Sequence, residues 1–262
     1  MAAGSAVRGL ERALRRSVAE SVDAPVKLVP VFGQLFAGMP SLGSSPRVVM
    51  GLLRGAGVNQ TSRVLDLACG KGTAAVLCAR AIGCRVEGVD GCAAFIEETR
   101  ALAVRWGAER RATFEVADLS RWRCTKKYDA AMMLGLWPLE VAAASLRGCV
   151  KRGGVYVVDD VYFDERHGRV PRGLEAPPTM EEACALVEEL GDRVERVWRV
   201  PVSRARTMNA RLYARLRENA ASVGKERPAL RAVLREFLRR QREANRVLGG
   251  AFRAGVWVVR RG

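Results

Sequence analysis

The sequence contains little histidine and little lysine. His167 is the only histidine among 262 residues, and six of the 44 basic residues are lysine. The seven cysteines include no Cys-x-x-Cys pair, so with one histidine they offer no zinc-binding pattern. We therefore expect no metal site, and we predict reduced thiols of the kind usual in cytoplasmic proteins.

Long apolar runs are also absent. No stretch approaches the roughly 18 consecutive apolar residues that a membrane span requires. The first residues lack the apolar segment of a secretory signal, whereas Val7, Leu10, Leu14 and Val18 recur at helical spacing. We expect an N-terminal amphipathic helix in a cytoplasmic protein that has no membrane partner.

The formal net charge of +16 is strongly positive. An excess of this size is typical of proteins that bind nucleic acid. One predicted helix carries a series of arginines that recur along its length: Arg231, Arg235, Arg239, Arg242 and Arg246. RNA is therefore kept as an alternative partner, although a general surplus of arginine does not by itself define a binding surface.

From Arg63 onward, short apolar strands alternate with helices. Strands are predicted at 64–67, 86–89, 113–116, 130–134, 155–158, 194–202 and 256–259. Helices are predicted at 73–82, 93–106, 139–146, 180–190, 204–221 and 228–248, and an earlier one begins at Ser45 and Pro46. Such alternation predicts an α/β protein in which helices cover both faces of a parallel sheet.

The segment DLACGKGT, residues 66–73, joins the first predicted strand to the first helix of that alternation. Gly70 and Gly72 allow the backbone to approach a ligand closely, and the helix N-terminus offers unpaired amides. The same residues also satisfy the G-x-G-x-x-A pattern of dinucleotide-binding enzymes. At this point a nicotinamide-dependent dehydrogenase and other nucleotide-binding enzymes both remain open.

Three acidic residues narrow the choice. A carboxylate at Asp66, ahead of the glycines, suits a cationic amino-acid ligand and would repel a pyrophosphate. Asp90 ends the second strand, where it could bind ribose hydroxyls. Asp118 ends the third strand, where it could accept a hydrogen bond from an adenine amino group. Asp66 or Asp118 could instead serve only to cap a helix or open a turn.

Together the segments DLACGKG, GVD, VADL, YDAAMML and KRGGVYVVDD, within about residues 63–160, resemble class I S-adenosylmethionine-dependent methyltransferases. Ala68 departs from the family pattern, which has a glycine there. The resemblance implies a Rossmann-like sheet of seven strands in one domain over residues 1–262. Its parts would be an N-terminal helical cap at 1–60, a cofactor-binding core at 61–202, a helical insertion at 203–250 and a terminal strand at 251–262.

The resemblance also implies the cofactor S-adenosyl-L-methionine, with S-adenosyl-L-homocysteine as product. Asp66, Ala68, Cys69, Gly70 and Gly72 would form the turn that holds its methionine part. Asp90 would bind the ribose. The adenine would lie against Gly91 and Cys92 with Asp118 and Leu119 at its edge, and Leu134 and Gly135 would face the sulfonium.

The acceptor side is less clearly marked in the sequence. Asp159, Asp160 and Tyr162 end the fifth strand and are our candidates for acceptor contact or a general base; turn-capping and salt bridges are equally open. Trp137, Phe36 and Tyr213 are candidate substrate contacts. We predict methyl transfer to a small molecule or metabolite, and the alternatives are an RNA methyltransferase and a protein that binds the cofactor without catalysis.

Overall fold

The computed structural model describes residues 14–16, 18–20, 22–170, 172 and 174–262. Seven strands form one sheet: β1 (Arg63–Leu67), β2 (Arg85–Asp90), β3 (Ala112–Val116), β4 (Tyr128–Leu134), β5 (Val150–Phe163), β6 (Arg193–Arg199) and β7 (Phe252–Arg260). Their order across the sheet is β3-β2-β1-β4-β5-β7-β6. The first five strands are parallel, and β7 runs antiparallel between β5 and β6.

Beyond the helical residues 14–16 and 18–20, the α-helices are α1 (Phe32–Leu35), α2 (Pro46–Gly55), α3 (Thr73–Ala81), α4 (Ala93–Arg105), α5 (Leu139–Arg147), α6 (Met180–Glu188), α7 (Val202–Glu226) and α8 (Arg231–Val247). A 3-10 turn at Val26–Val31 precedes α1. This arrangement confirms the predicted Rossmann-like sheet with helices on both faces. None of the described helices is long and apolar enough to cross a membrane.

Two apolar cores lie on opposite faces of the sheet, because alternate residues of each strand point to opposite sides. One core packs α2, α3 and α4 residues such as Leu53 and Ile96 against Val64 and Val157. The other packs α5 and α6 residues against the opposite face, around the fully buried Trp257.

A third core joins the N-terminal part of the chain to α7 and α8. Its buried aromatic residues include Phe32, Phe36, Phe95 and Phe237. The ring centroid of Phe36 lies 5.2 Å from that of Phe32, 5.7 Å from that of Phe95 and 6.5 Å from that of Phe237. These ring contacts join the N-terminal segment to α4 and α8, and α7 packs against the same core through Leu216.

The sequence-based boundaries differ from the structure mainly at β5, which extends past residue 158 to Phe163 because β7 pairs with it as far as Phe252. Ser45 precedes α2 as predicted, but its side chain makes no capping hydrogen bond. Thr179 and Glu182, by contrast, form a complete capping box at the start of α6. Val7 and Leu10 of the predicted N-terminal helix lie outside the described residues, and 14–16 and 18–20 are helical.

Candidate active site

A cavity of about 250 Å³ lies at the carboxyl edge of the parallel strands. Its floor includes Asp66 and Asp90, at the ends of β1 and β2, and Leu134, at the end of β4. β1 lies between β2 and β4, so the strand order changes direction there. Ligands of open α/β sheets bind at such a point, because the loops on either side diverge and leave a crevice.

The turn after β1 forms one wall of this cavity. Ala68, Gly70 and Gly72 all have a left-handed backbone, with φ of 64°, 52° and 63°. A Cβ on Gly72 would lie 2.0 Å from Cγ2 of Thr99, so no larger residue fits there. A Cβ on Gly70 would meet no atom within 4 Å, so the space beside this glycine is open to a ligand.

Asp66 is the most unusual carboxylate of the site. It is 2 % exposed and lines the cavity. Among the described residues its side chain has no hydrogen-bonding or ion-pair partner. Burial raises its pKa well above the ordinary value, and the charges of Asp90 and Asp159 raise it further. An unpaired buried carboxylate is costly, and a cationic ligand in the cavity would offset that cost.

Asp90 and Asp159, in contrast, are hydrogen-bonded by backbone amides. Asp90 accepts from the amides of Gly70 and Cys92, each at 2.8 Å. Asp159 accepts from the amide of Ser44 at 2.9 Å and from the amide of Gly135. Burial raises the pKa of both carboxyls, although these hydrogen bonds act in the opposite direction.

Lys71 stands between the two glycines of the turn and is buried. Its Nζ donates to the carbonyl oxygen of Phe36 at 2.7 Å and pairs with Oε2 of Glu98 at 2.6 Å. The same ammonium lies 5.7 Å from the ring centroid of Phe95. Lys71 therefore connects the turn to the N-terminal segment, and its charge is already neutralised by Glu98.

Residues 36–44, which we call the strap, cross the mouth of the cavity. The strap is anchored at three points: Lys71 donates to Phe36, Thr73 donates to the carbonyl of Pro40, and Ser44 donates to Asp159. The anchoring groups belong to the turn after β1 and to β5. The strap is thus held against the same strand ends that form the floor.

Helices α7 and α8 form the wall opposite the strand ends. Their apolar contribution is Leu212, Leu216 and Phe237. Four polar side chains line the same wall: Asn209, Tyr213, Gln241 and Asn245. The cavity therefore has an acidic end at the sheet and an uncharged end at the helices.

The predicted cofactor residues divide into two groups by position. Those that line the cavity are Asp66, Ala68, Cys69, Gly70, Gly72, Asp90, Leu134 and Gly135. Gly91, Cys92, Asp118 and Leu119 do not line it. A Cβ on Gly91 would lie 2.6 Å from Cγ2 of Val18, so helical residues near the N-terminus cover it. Asp118 accepts from the amide and hydroxyl of Ser120 and opens a turn.

The three candidates at the end of β5 lie on different faces of that strand. Asp159 does not line the cavity but contacts the strap and the Gly135 turn beside it, whereas Asp160 and Tyr162 face the other side because successive residues alternate. Asp160 accepts from the amides of Leu139 and Val161, each at 2.7 Å, and so caps α5. Tyr162 is buried with its ring centroid 6.2 Å from that of Trp257. The predicted acceptor contact for Asp160 and Tyr162 does not agree with these positions.

Among the substrate candidates, Phe36 and Tyr213 line the cavity and Trp137 does not. Trp137 packs against the core on the α5 side of the sheet.

Sequence reasoning missed Lys71, the strap residues beyond Phe36, and three of the polar residues on the helical wall. A signal for the last of these was present. Asn209 falls on the same face as the apolar stripe that contains Leu212 and Leu216, and Gln241 and Asn245 continue the stripe of Phe237 at four-residue spacing. A polar residue in line with an apolar stripe faces a cavity or a partner.

All seven cysteines are free thiols. The described residues contain no group of three or more His, Cys, Asp or Glu side chains that could hold a metal ion.

The chain is similar to known proteins over this same region. A family profile described as a methyltransferase domain matches residues 64–154. No curated protein matches the chain. The E. coli protein YjhP is 17% identical, with a TM-score of 0.76 over 90% of this chain and 100% of that chain.

Two further solved structures carry a bound ligand. An S-adenosylmethionine-dependent methyltransferase from Thiobacillus denitrificans, in complex with S-adenosyl-L-homocysteine, is 18% identical, with a TM-score of 0.71 over 88% of this chain and 98% of that chain. A corresponding complex from Geobacter sulfurreducens is 17% identical, with a TM-score of 0.73 over 89% and 98%. These likenesses establish the fold.

Proposed function

We propose that the protein transfers the methyl group of S-adenosyl-L-methionine to a small molecule, because residues 64–154 match the profile of a methyltransferase domain and the chain shares the fold of two methyltransferases solved with S-adenosyl-L-homocysteine. The observation that carries this proposal is the carboxylate of Asp66, which is buried, unpaired among the described residues and open to the cavity. The ammonium and sulfonium groups of this cofactor supply the positive charge that such a carboxylate requires.

The residues of the acidic end fit the cofactor. Asp66, Ala68 and Gly70 would hold its methionine part, where the left-handed turn leaves open space. Asp90 would bind the ribose, and Leu134 and Gly135 would face the sulfonium. When bound, the cofactor supplies an activated methyl group.

The chain itself contributes orientation and exclusion of water. The strap and the helical wall close the cavity on the side opposite the sheet, so an acceptor between them is held near the cofactor end. Holding two reactants in line provides much of the acceleration of a bimolecular displacement. Asp159 accepts from the amides of Ser44 and Gly135, so this residue positions the Gly135 turn. A general base is needed only where the bound acceptor carries a proton on its nucleophilic atom.

A small molecule fits this site better than a nucleic-acid strand, because strap and helices enclose it. Within the arginine series of α8, Arg239 pairs with Glu236 and Glu243, each at 2.7 Å. The RNA alternative stays a prediction. It requires RNA binding that weakens steeply between 50 and 200 mM salt, roughly a thousandfold or more if six phosphates are contacted.

The proposed cofactor can be tested by thermal unfolding and calorimetry with S-adenosyl-L-methionine, S-adenosyl-L-homocysteine, NAD and NADP. A ligand at about a hundred times its Kd should add ~2.7 kcal/mol to the free energy of unfolding. We expect this for the two adenosyl compounds only, and we expect it to be lost in Asp90→Ala. Asp129→Ala is the matched control and should retain binding. Asp129 of β4 pairs with Lys151 of β5, away from the cavity.

Binding of NAD or NADP in place of the adenosyl compounds would favour a dehydrogenase. No binding by the folded wild-type protein would overturn the proposed function. Formation of S-adenosyl-L-homocysteine in the presence of mixed acceptors then distinguishes an enzyme from a protein that only binds the cofactor.

A further inference from the structure

Four uncharged polar side chains face the cavity from its helical wall, and we call them the polar quartet. Asn209 and Tyr213 lie four residues apart on α7, and Gln241 and Asn245 lie four residues apart on α8. Side chains at this spacing share one face of a helix. Each helix therefore presents two polar groups, one above the other, to the same cavity.

The quartet has no structural task among the described residues. Its four side chains are half-buried, yet none of them forms a hydrogen bond or ion pair there. Asn219, further along α7, shows what a structural asparagine does in this protein: its Nδ2 donates to the carbonyl oxygens of Leu35 at 3.0 Å and Ala37 at 2.9 Å. Polar groups that hold the fold are paired here, whereas the quartet presents free donors and acceptors to the cavity.

The charge of the cavity limits what the quartet can bind. Among the described residues, the charged side chains that line it are Asp66, Asp90 and Lys71. All three belong to the acidic end, and Lys71 is already paired with Glu98. Among these lining residues an anionic ligand would find no free cation and would face two carboxylates. Arg204 of α7 and Arg253 line the adjoining cavity instead. A second positive ligand would compete with the cofactor for the same acids.

The other lining residues of the helical wall, Leu212, Leu216 and Phe237, are apolar. Leu42 of the strap adds a further apolar side chain beside them. An apolar surface with a few convergent polar groups is the usual composition of a small-molecule site. A site that presents amides and a phenol selects ligands with hydroxyl, carbonyl or amide groups, because an analogue without them leaves the polar groups of the site unpaired.

We propose that the polar quartet binds the methyl acceptor and that this acceptor is an uncharged molecule with an apolar body and hydroxyl, carbonyl or amide groups. The inference depends on the proposed function only in naming the bound molecule a methyl acceptor. The arginines of α8 do not line the cavity, so their part of the net charge of +16 lies outside it.

Thermal unfolding separates a binding role from a structural one. Asn209→Leu and Gln241→Leu remove no hydrogen bond of the described fold, so we expect the Tm to stay unchanged or rise. Asn219→Leu removes two hydrogen bonds, and we expect the Tm to fall by roughly 3 °C or more. A fall of that size in Asn209→Leu and Gln241→Leu would show that these residues hold the fold, and it would overturn the proposal.

Binding is tested by ligand-observed NMR with a fragment set that contains equal numbers of neutral, anionic and cationic compounds. The screen is run with and without saturating S-adenosyl-L-homocysteine. We expect neutral, hydrogen-bonding fragments to dominate the hits and to bind about tenfold more weakly to Asn209→Leu and Gln241→Leu. Arg242→Gln, on the exposed face of α8, is the matched control and should retain them.

Two results would overturn the inference. One is a screen in which neutral fragments bind no more often than charged ones, including a screen without hits. The other is a set of neutral hits that binds equally to the wild type and to both leucine variants. If S-adenosyl-L-homocysteine fails to bind while neutral fragments still depend on the quartet, the proposed function is wrong and the quartet remains a small-molecule site.

Discussion

The two walls of the cavity differ in how they present polar groups. The sheet wall presents two carboxylates near strand ends: Asp90 is held by backbone amides, and Asp66 is unpaired among the described residues. The helical wall presents amides and a phenol without any charge. The acidic wall suits a ligand with a permanent positive charge. The neutral wall on α7 and α8 selects a second ligand by hydrogen bonding.

The largest effect on the sheet wall is expected at Gly72. In Gly72→Ala the new Cβ would collide with Thr99 while the backbone stays left-handed, so we expect the free energy of unfolding to fall by about 2–5 kcal/mol. Chemical denaturation measures this loss. Thr99→Ser, which removes the closest atom, should restore part of the stability in the double variant, and equal losses with and without it would contradict the packing argument.

A smaller effect is expected where the two walls are joined through the strap. Lys71→Met keeps the length and apolar contacts of the side chain but removes the donor to Phe36 and the partner of Glu98. We expect stability to fall by about 1–3 kcal/mol, because a buried carbonyl loses its donor. Hydrogen exchange should accelerate in residues 36–44 and not in α5. Uniform exchange across both regions would count against the strap as a separately anchored segment.

The charge of the sheet wall can be tested through pH. A bound cation favours the ionised form of Asp66, whose pKa in the free protein is raised by burial and by Asp90 and Asp159. Binding therefore releases a proton, and we expect affinity for S-adenosyl-L-methionine to rise by up to about tenfold per pH unit below that pKa. Calorimetry in buffers of different ionisation enthalpy measures the released proton.

Asp66→Asn is the control for that experiment. It should bind more weakly and lose the proton release. The raised pKa also means that the folded protein binds this proton more tightly than the unfolded chain does. The stability from Asp66 is thus present at low pH and lost as pH rises through the folded pKa. Asp66→Asn should flatten this decline, and an unchanged pH profile of unfolding would place the titrating group elsewhere.

The smallest expected effect concerns Ala68. Its φ of 64° is unfavourable for alanine, and glycine adopts it freely. Part of the gain is offset because glycine is more flexible in the unfolded chain, so we expect Ala68→Gly to add about 0.5–1 kcal/mol. Denaturant titration with parallel measurement of S-adenosyl-L-homocysteine affinity checks this. A loss of stability would mean that the alanine methyl makes a contact worth more than the backbone strain.

The sheet wall could be predicted because its information is local. Asp66 and Asp90 follow apolar strands directly, and parallel strands bring their carboxyl ends to one edge. The face of the sheet on which a residue lies near the end of a strand is harder to predict. Because β5 continues to Phe163, Asp160 and Tyr162 alternate away from the cavity, and this extension depends on pairing with β7, whose sequence lies some ninety residues later.

The helical wall could not be predicted in the same way. The 3.6-residue period shows that α7 and α8 are amphipathic but not where each helix lies against the rest of the fold. The sequence indicates Tyr213 as a candidate substrate contact. Gln241 and Asn245 lie in α8, whose regularly spaced arginines indicate only its outer surface. The buried role of Lys71 also depends on docking, since only the folded strap brings the carbonyl of Phe36 to its ammonium.

The position of β7 between β5 and β6 has a consequence for the order in which the molecule assembles. β6 is bound to the sheet only through β7, which pairs with β5 on one side and β6 on the other. During synthesis β6, α7 and α8 leave the ribosome before β7 does. Strand β6 therefore joins the sheet only after residues 252–260 have been made.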